Sequence, residues 1–469
     1  MFRRRRTAIL VGVGLAVATI GVAGAVVAFE RGDDDAERSS VGACRKSVST
    51  PVPQPTGAQL ATAGLDELPR APNSARVDLV APAFSTPTEV SNPLFPISEL
   101  RSAILNGRVE GKPFRTETTL LPETRILEWS NGQCVEVLVS QYLAYLDGRI
   151  EEVALDHYAH DDDGNAWYLG EDVFNYEDGV IADTAGTWLA GKEGPAAMIM
   201  PADPQVGDAY RPENIAGLVF EEVTVKAVGE TVDGPRGPVR GAITVRELHD
   251  DGTFEEKVFA PGYGEFFTGG GGDVEALALA VPTDAVAGGV PPQLEAVSAG
   301  ADDIFETAGP GAWKKASRAV ATMTAAWAGY RRTGQVPRRL AAPTSGALKA
   351  LARAVAVRDQ AEARQAALNV SQAGLDLQLQ YRPPTDVDLD RFDLWLRQLL
   401  LDARGRDQAA VIGDVATVEW IRDRIVRALD PAELTRLDTL LRELRTNAGD
   451  EDFEAASGTA SELGELLKR

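Results

Sequence analysis

The chain has 469 residues, of which 44% are hydrophobic and 25% are charged, and its formal net charge at pH 7 is −23. This length predicts more than one folded domain, and the composition is that of a globular rather than a disordered protein. Nearly all of the excess of acidic over basic residues lies upstream of residue 302. Phosphate binding needs clustered positive charge, so we expect no nucleic-acid partner for that acidic part.

Residues 1–31 combine a basic start with an apolar run. Arg3-Arg4-Arg5-Arg6 precedes the uncharged stretch 7–29, and Asp33-Asp34-Asp35 follows it. A helix over residues 7–29 is long enough for the ~30 Å core of a bilayer, and the positive-inside rule places the N-terminus in the cytoplasm. We predict a single-pass cell-membrane protein whose bulk is extracytoplasmic. The alternative is a signal peptide that is cleaved to give a secreted protein.

Two cysteines, Cys44 and Cys134, are present in the chain. Outside the cytoplasmic membrane the simplest arrangement is one disulfide, and two separate thiols are the alternative. The sequence has no C-x-x-C motif, and its three histidines are His157, His160 and His249. We therefore predict neither a metal site nor a cofactor.

The region after the apolar run changes character near residue 92. Residues 32–91 are rich in Pro, Ser, Thr and Ala, which favours an extended tether. Residues 92–281 alternate strand-like runs with turn residues. Asp147-Gly148, Asp163-Gly164-Asn165, Asp178-Gly179 and Asp251-Gly252 are typical of tight hairpins. We predict an antiparallel β meander that is half-barrel or sandwich-like.

The C-terminal third changes to a helical period. Residues 282–311 are rich in Pro, Gly and Ala and are interpreted as a linker, while apolar residues at helical spacing follow in residues 312–469. Asp430-Pro431-Ala432-Glu433 is a helix start with a capping Asp and Pro in the first turn. We predict an antiparallel helical bundle, so the fold class is α+β in separate domains with an N-terminal transmembrane helix.

An aromatic hairpin stands out in residues 156–172, where Trp167 and Tyr168 follow the acidic turn Asp161-Asp162-Asp163-Gly164-Asn165. Adjacent strand residues face opposite ways, so one ring is expected in the core and the other on a sheet face or pocket. The acids do not have EF-hand spacing. Trp167, Tyr168 and Tyr210 are the candidate ligand-binding residues.

This hairpin belongs to a series of motifs that carries a resemblance. The series consists of Asn92-Pro93-Leu94-Phe95-Pro96, the hairpin, Pro204-Gln205-Val206-Gly207-Asp208-Ala209-Tyr210 and Ala260-Pro261-Gly262-Tyr263-Gly264. It resembles a family of uncharacterised bacterial exported proteins, many of them lipoproteins, over about residues 92–281. The resemblance implies a β fold and no particular chemistry. Leu94 replaces the usual aromatic residue, and no lipid-attachment cysteine directly follows the apolar run. The helical part is loosely similar to helical domains of other actinobacterial exported proteins.

The pattern of missing motifs favours a non-catalytic module that binds a small ligand or a protein at the cell envelope. The chain has no Gly-x-Ser-x-Gly elbow and no plausible Cys/His pair. The alternative is a carboxylate-dependent, glycosidase-like envelope hydrolase. Its candidate carboxylates are Asp156, Glu171, Asp172 and Glu221.

Overall fold

The computed structural model describes residues 51–130 and 133–468. Fourteen strands form one antiparallel sheet. In chain order they are β1 (Ser102–Val109), β2 (Lys112–Ser130), β3 (Gln133–Leu146), β4 (Arg149–His160), β5 (Ala166–Glu177), β6 (Val180–Asp183), β7 (Trp188–Leu189), β8 (Ala197–Met200), β9 (Ala209–Ile215), β10 (Val219–Asp233), β11 (Pro238–His249), β12 (Phe254–Ala260), β13 (Gly264–Gly270) and β14 (Asp273–Val281).

The predicted meander is confirmed. From β1 to β6 and from β9 to β14 each strand pairs with its chain neighbour, and β14 also pairs with β1. Asp147 and Gly148 have φ values of 51° and 80°, and Asp178 and Gly179 have 52° and 80°. Two successive left-handed residues match the twist of a hairpin, which explains the Asp-Gly pairs.

The sheet curls until its two ends approach each other. Strand β8 pairs with β5 and also lies against β9, at the far end of the strand order. Tyr158 and Tyr168 of β4 and β5 consequently share one hydrophobic cluster with Val223 and Phe259 of β10 and β12. The curled sheet thus encloses an inner face.

Residues 51–91 pack against this sheet. They include the short helix α1 (Gly57–Thr62), which is capped by Thr56. Val52, Leu65 and Val90 are buried, and Ser85 N donates to Asp162 Oδ1 of the β4–β5 hairpin at 2.8 Å. The tether prediction is therefore wrong for residues 51–91, because their scattered apolar side chains find a surface that periodicity could not reveal.

Eight further helices follow the sheet in the described residues. They are α2 (Pro292–Thr307), α3 (Trp313–Arg331), α4 (Arg338–Val357), α5 (Gln360–Gln378), α6 (Pro384–Gly405), α7 (Gln408–Ile425), α8 (Pro431–Gly449) and α9 (Phe453–Leu467). Helix α2 lies inside the predicted linker, which is a correction to residues 282–311. Its buried Leu294, Val297, Ala301 and Ile304 form an apolar stripe. Asp430 and Glu433 form the expected capping box of α8.

A buried ionic network joins the helical region to the outer face of the sheet. Glu117 of β2 pairs with Arg115, whose Nη2 lies 2.7 Å from Glu117 Oε1, and with Arg391 and Arg424 of α6 and α7. Gln141 of β3 donates to the carbonyl oxygen of Trp420 at 3.0 Å. Because alternate strand residues face opposite ways, Thr116 and Thr118 point instead to the inner face.

None of the helices within residues 51–130 and 133–468 has both the length and the apolar character that a membrane crossing needs. The predicted anchor, residues 7–29, lies outside the described residues. Cys44 also lies outside them, whereas Cys134 is in β3. The anchor and the disulfide stay predictions.

Candidate functional site

Two cavities meet at Tyr142. The inner cavity, of about 90 Å³, lies among β1–β4 and β9–β14. The mouth cavity, of about 850 Å³, is lined by Phe114 and Tyr142 of the sheet and by Trp395 and Asp414 of α6 and α7. Tyr142 lines both cavities. The curling of the sheet therefore produces a concave site with a small buried end and a wide end.

The inner cavity is lined by an unusual number of buried ionisable groups. Asp156, Glu247, Lys257 and Glu275 are each at most 5% exposed. Lys257 Nζ lies 2.8 Å from Glu247 Oε1, and Thr116 Oγ1 donates to Glu275. Burial raises the pKa of Glu275 to about 7 and also raises the pKa of Asp156. The ionisation of these buried carboxyl groups therefore depends on the charged and polar groups beside them.

Aromatic side chains support this inner cavity. Tyr158 and Tyr168 stack with ring centroids 5.1 Å apart, and Trp188 meets Tyr168 edge-on at 5.5 Å. The hydroxyl of Tyr168 donates to Asp156 Oδ1 at 2.7 Å. Burial raises the pKa of Tyr168 well above its ordinary value, so its hydroxyl remains a neutral donor. Tyr168 acts on the cavity through Asp156.

The three sequence-predicted ligand-binding residues have different places. Tyr210 lines the inner cavity, whereas Trp167 and Tyr168 line neither cavity. Both of these rings are buried, at 1% and 0% exposure, so the expectation that they would divide between core and surface is not met. Trp167 Nε1 donates to Asp161 Oδ2 at 2.7 Å. Asp161 also accepts from the backbone N–H groups of Asp163 and Asn165, so it organises the turn.

The candidate catalytic carboxylates separate into three environments. Asp156 and Glu171 are direct cross-strand partners on β4 and β5. Asp172 accepts from Arg125 at 2.9 Å, and Glu221 lies beside His249 on β10 and β11. The structure therefore brings together one pair, Asp156 and Glu171. Asp172 and Glu221 lie in two other environments.

The mouth cavity is strongly acidic. Nine acidic residues line it against two basic ones, Lys112 and Arg149. The acidic residues are Glu110, Glu151, Glu152, Glu177, Asp178, Asp183, Asp273, Asp407 and Asp414. Arg149 Nη1 lies 2.7 Å from Asp402 Oδ2 and 3.4 Å from Asp414 Oδ1. Burial and the neighbouring Asp402 raise the pKa of Asp414 well above its ordinary value.

One group of side chains has the distances of a metal site. Ligand atoms of Glu221, Glu247 and His249 all lie within 4.8 Å of one another. No local motif such as C-x-x-C or a histidine pair marks this group, because its members come from two strands, and it was not predicted from the sequence. The detectable signal is a pair of ionisable residues at alternating positions of one strand, Glu247 and His249 in β11, which places both on one face.

No family model matches this chain, and no curated protein matches it either. The resemblance to exported proteins therefore stays an expectation from the motifs.

Proposed function

We propose that this chain is a non-catalytic binding protein of the cell envelope that takes a small organic polycation into the mouth cavity. The ligand class is an aliphatic amine with two or more ammonium groups. The observation that carries the proposal is that, among the described residues, nine acidic and two basic side chains line a cavity of about 850 Å³.

The size of the cavity supports a small-molecule ligand. Ligand pockets occupy about 300–1,000 Å³ and combine apolar walls with a few polar groups. The mouth cavity fits this description, since Phe114, Tyr142, Tyr176 and Trp395 provide apolar walls. Methylene groups of a polyamine would lie on these rings, and its ammonium groups would meet carboxylates and aromatic faces.

The inner cavity is too small for a whole ligand of this kind. An apolar cavity of about 150 Å³ accommodates benzene, and the inner cavity of about 90 Å³ is smaller. One ammonium group or a few waters would fit beside Asp156 and Glu275. In this proposal the end of the polycation enters past Tyr142.

One observation favours the hydrolase alternative and another opposes it. Asp156 and Glu171 are cross-strand neighbours, as paired carboxylates require. However, the cavity that Asp156 lines is too small for a sugar ring. We therefore favour binding over glycoside hydrolysis.

We also propose that residues 7–29 anchor the protein in the cytoplasmic membrane, with the sheet and helices outside. Two forms were predicted for the β domain, a half-barrel and a sandwich. The curled sheet favours the half-barrel. A protein partner at the envelope is the second candidate. The acidic mouth would then receive a basic segment of that partner.

Isothermal titration of the full chain in detergent with spermidine tests the polycation proposal. The test variant combines Glu110→Gln, Glu152→Gln and Asp178→Asn. Each lost charge at about 6 Å in water contributes ~0.7 kcal/mol before screening, or about 2 kcal/mol for three charges. Screening by salt reduces this sum to roughly 1.4 kcal/mol, so the triple variant is expected to weaken binding about tenfold. The measured affinity should also fall as salt rises.

A matched triple variant, Glu306→Gln, Glu443→Gln and Asp450→Asn, removes three exposed acids that do not line the mouth cavity. It lowers the net negative charge equally and should retain wild-type affinity. Equal weakening in both variants would mean that spermidine binds only through the overall negative charge of the protein. That result would contradict a specific site.

A further inference from the structure

A histidine surrounded by three carboxylates lies on strands β10–β12, where Glu247 also lines the inner cavity. His249 Nδ1 is 3.7 Å from Glu221 Oε1, and His249 Nε2 is 3.8 Å from Glu247 Oε1 and 3.7 Å from Glu255 Oε2. The three carboxylate side chains are at most 4% exposed, and the imidazole is 13% exposed. We call Glu221, Glu247, His249 and Glu255 the His249 cluster.

Strand register brings this cluster together. Glu221 of β10 is directly opposite His249 of β11, and Glu255 of β12 is directly opposite Glu247. Glu247 and His249 are two residues apart and therefore share a face. Three paired strands hold the four side chains, so the donors are positioned by the rigid part of the fold rather than by a loop.

The hydrogen bonding of the cluster is incomplete among the described residues. His249 Nε2 and Glu255 Oε2 are both buried and make no hydrogen bond there. Buried polar atoms normally have partners, and a buried carboxylate without one is costly. At 3.7 Å the two atoms are too far apart to satisfy each other, and a cation between them would satisfy both.

The charge balance also favours a cation. Three carboxylates face one histidine, and Lys257 pairs with Glu247 at 2.8 Å. A divalent ion would neutralise the remaining negative charge. Ca²⁺ and Mg²⁺ take oxygen ligands, whereas imidazole combined with carboxylates suits Zn²⁺, Co²⁺, Mn²⁺ and Fe²⁺.

We propose that Glu221, Glu247 and His249 bind a divalent first-row transition-metal ion, with Glu255 as a further oxygen donor beside Nε2. No residue of the cluster lines the mouth cavity, so this inference does not rest on the proposed polycation site. Lys257 is a competitor of the metal, because its ammonium group already occupies one side of Glu247.

Co²⁺ is the probe for the test, since its visible absorption bands report nitrogen and oxygen ligation directly. The full chain in detergent, first treated with a chelator, is titrated with Co²⁺ while the absorption is recorded. We expect one Co²⁺ per chain and at least a tenfold loss of affinity in His249→Gln and in Glu221→Gln. The control is His160→Gln, which removes a histidine outside the cluster and should leave the titration unchanged.

Two further measurements keep the test decisive if His249→Gln folds poorly. Lys257→Met should strengthen Co²⁺ binding, because it frees Glu247. Co²⁺ should raise the Tm of the wild-type chain but not that of Glu221→Gln. Equal Co²⁺ titrations in the wild type and both cluster variants would overturn the site. Displacement of Co²⁺ by Mg²⁺ at equal concentration would overturn its assignment to a transition metal.

Discussion

Arg424 of α7 donates to Glu117 of β2 across 307 residues of sequence, and both side chains are fully buried. Burial alone would raise the pKa of Glu117, but Arg391, Arg115 and Arg424 lower it well below its ordinary value. Asp376 and Asp388 also pair with these arginines, and Glu117 is the carboxylate that pairs with all three guanidinium groups. It fixes how the helical region sits on the sheet, and therefore how α6 and α7 complete the mouth cavity.

Glu117→Gln is expected to lower the free energy of unfolding by about 3–5 kcal/mol, because it leaves buried arginines without their shared carboxylate. Urea denaturation followed by circular dichroism measures this change. The control is Glu123→Gln, which removes the partner of Arg427 in a pair whose side chains are 65% and 60% exposed. Since exposed pairs contribute little, that variant should stay within about 0.5 kcal/mol of wild type. Similar losses in both variants would contradict a special role for Glu117.

The stability of the wild-type chain should carry a pH-dependent contribution from Glu275. Its folded pKa of about 7 exceeds the ordinary value of 4.5, so the folded state holds the proton more tightly than the unfolded state. This contribution is fully present below pH 4.5 and is lost as the pH rises through about 7. Glu265 and Lys257 face the same group and belong to its electrostatic surroundings.

Glu275→Gln removes that dependence. Between about pH 4.5 and 7 the wild type should lose roughly 2–3 kcal/mol more unfolding free energy than Glu275→Gln does. Urea denaturation across this range measures the difference. Parallel pH profiles for the wild type and the variant would show that Glu275 is not protonated preferentially in the folded protein.

Tyr168 and Tyr210 should respond differently to loss of the hydroxyl group. Tyr168→Phe removes a hydrogen bond to a buried carboxyl group and should cost about 1–3 kcal/mol. The Tyr210 hydroxyl is buried without a hydrogen bond among the described residues, so Tyr210→Phe should be neutral or stabilising. Thermal denaturation of the two variants makes the comparison. A larger loss for Tyr210→Phe would reverse the assigned roles.

Asp161 and Asp162 are adjacent acidic residues that contribute differently to the stability of the β4–β5 hairpin. Asp161 is 4% exposed and accepts from Trp167, Asn165 and the backbone of Asp163, while Asp162 lies at the surface and accepts from Ser85. Asp161→Ala should cost about 2–4 kcal/mol, since it leaves several buried donors unpaired. Asp162→Ala should cost less than about 1 kcal/mol. The Tm of each variant measures the contrast, and equal values would contradict it.

The local parts of the fold were predictable from sequence. Asp147-Gly148 and Asp178-Gly179 specify hairpins by backbone preference alone, and Asp430 with Glu433 specifies a helix start. Gly269 and Gly270 end β13, where a Cβ at Gly270 would lie 2.9 Å from the Glu255 side chain. Glycine there reflects close packing rather than flexibility.

The candidate sites were much less predictable. The hairpin was expected to contribute binding residues because aromatic and acidic residues are adjacent there in sequence. In the structure Trp167 and Asp161 satisfy each other, and the cavities are lined by residues from strands far apart in the chain. Alternation shows that Glu247 and His249 share a face, but only the curling of the sheet shows that this face is internal.

Native mass spectrometry of the full chain released from detergent tests the central claim, that the mouth cavity binds an organic polycation, most directly. The chain is sprayed with spermidine or with an equal concentration of glycerol. We expect one spermidine adduct on the wild type, none with glycerol, and a much smaller adduct on the Glu110→Gln, Glu152→Gln, Asp178→Asn variant. Equal spermidine adducts on the wild type and that variant, or no adduct on either, would contradict it.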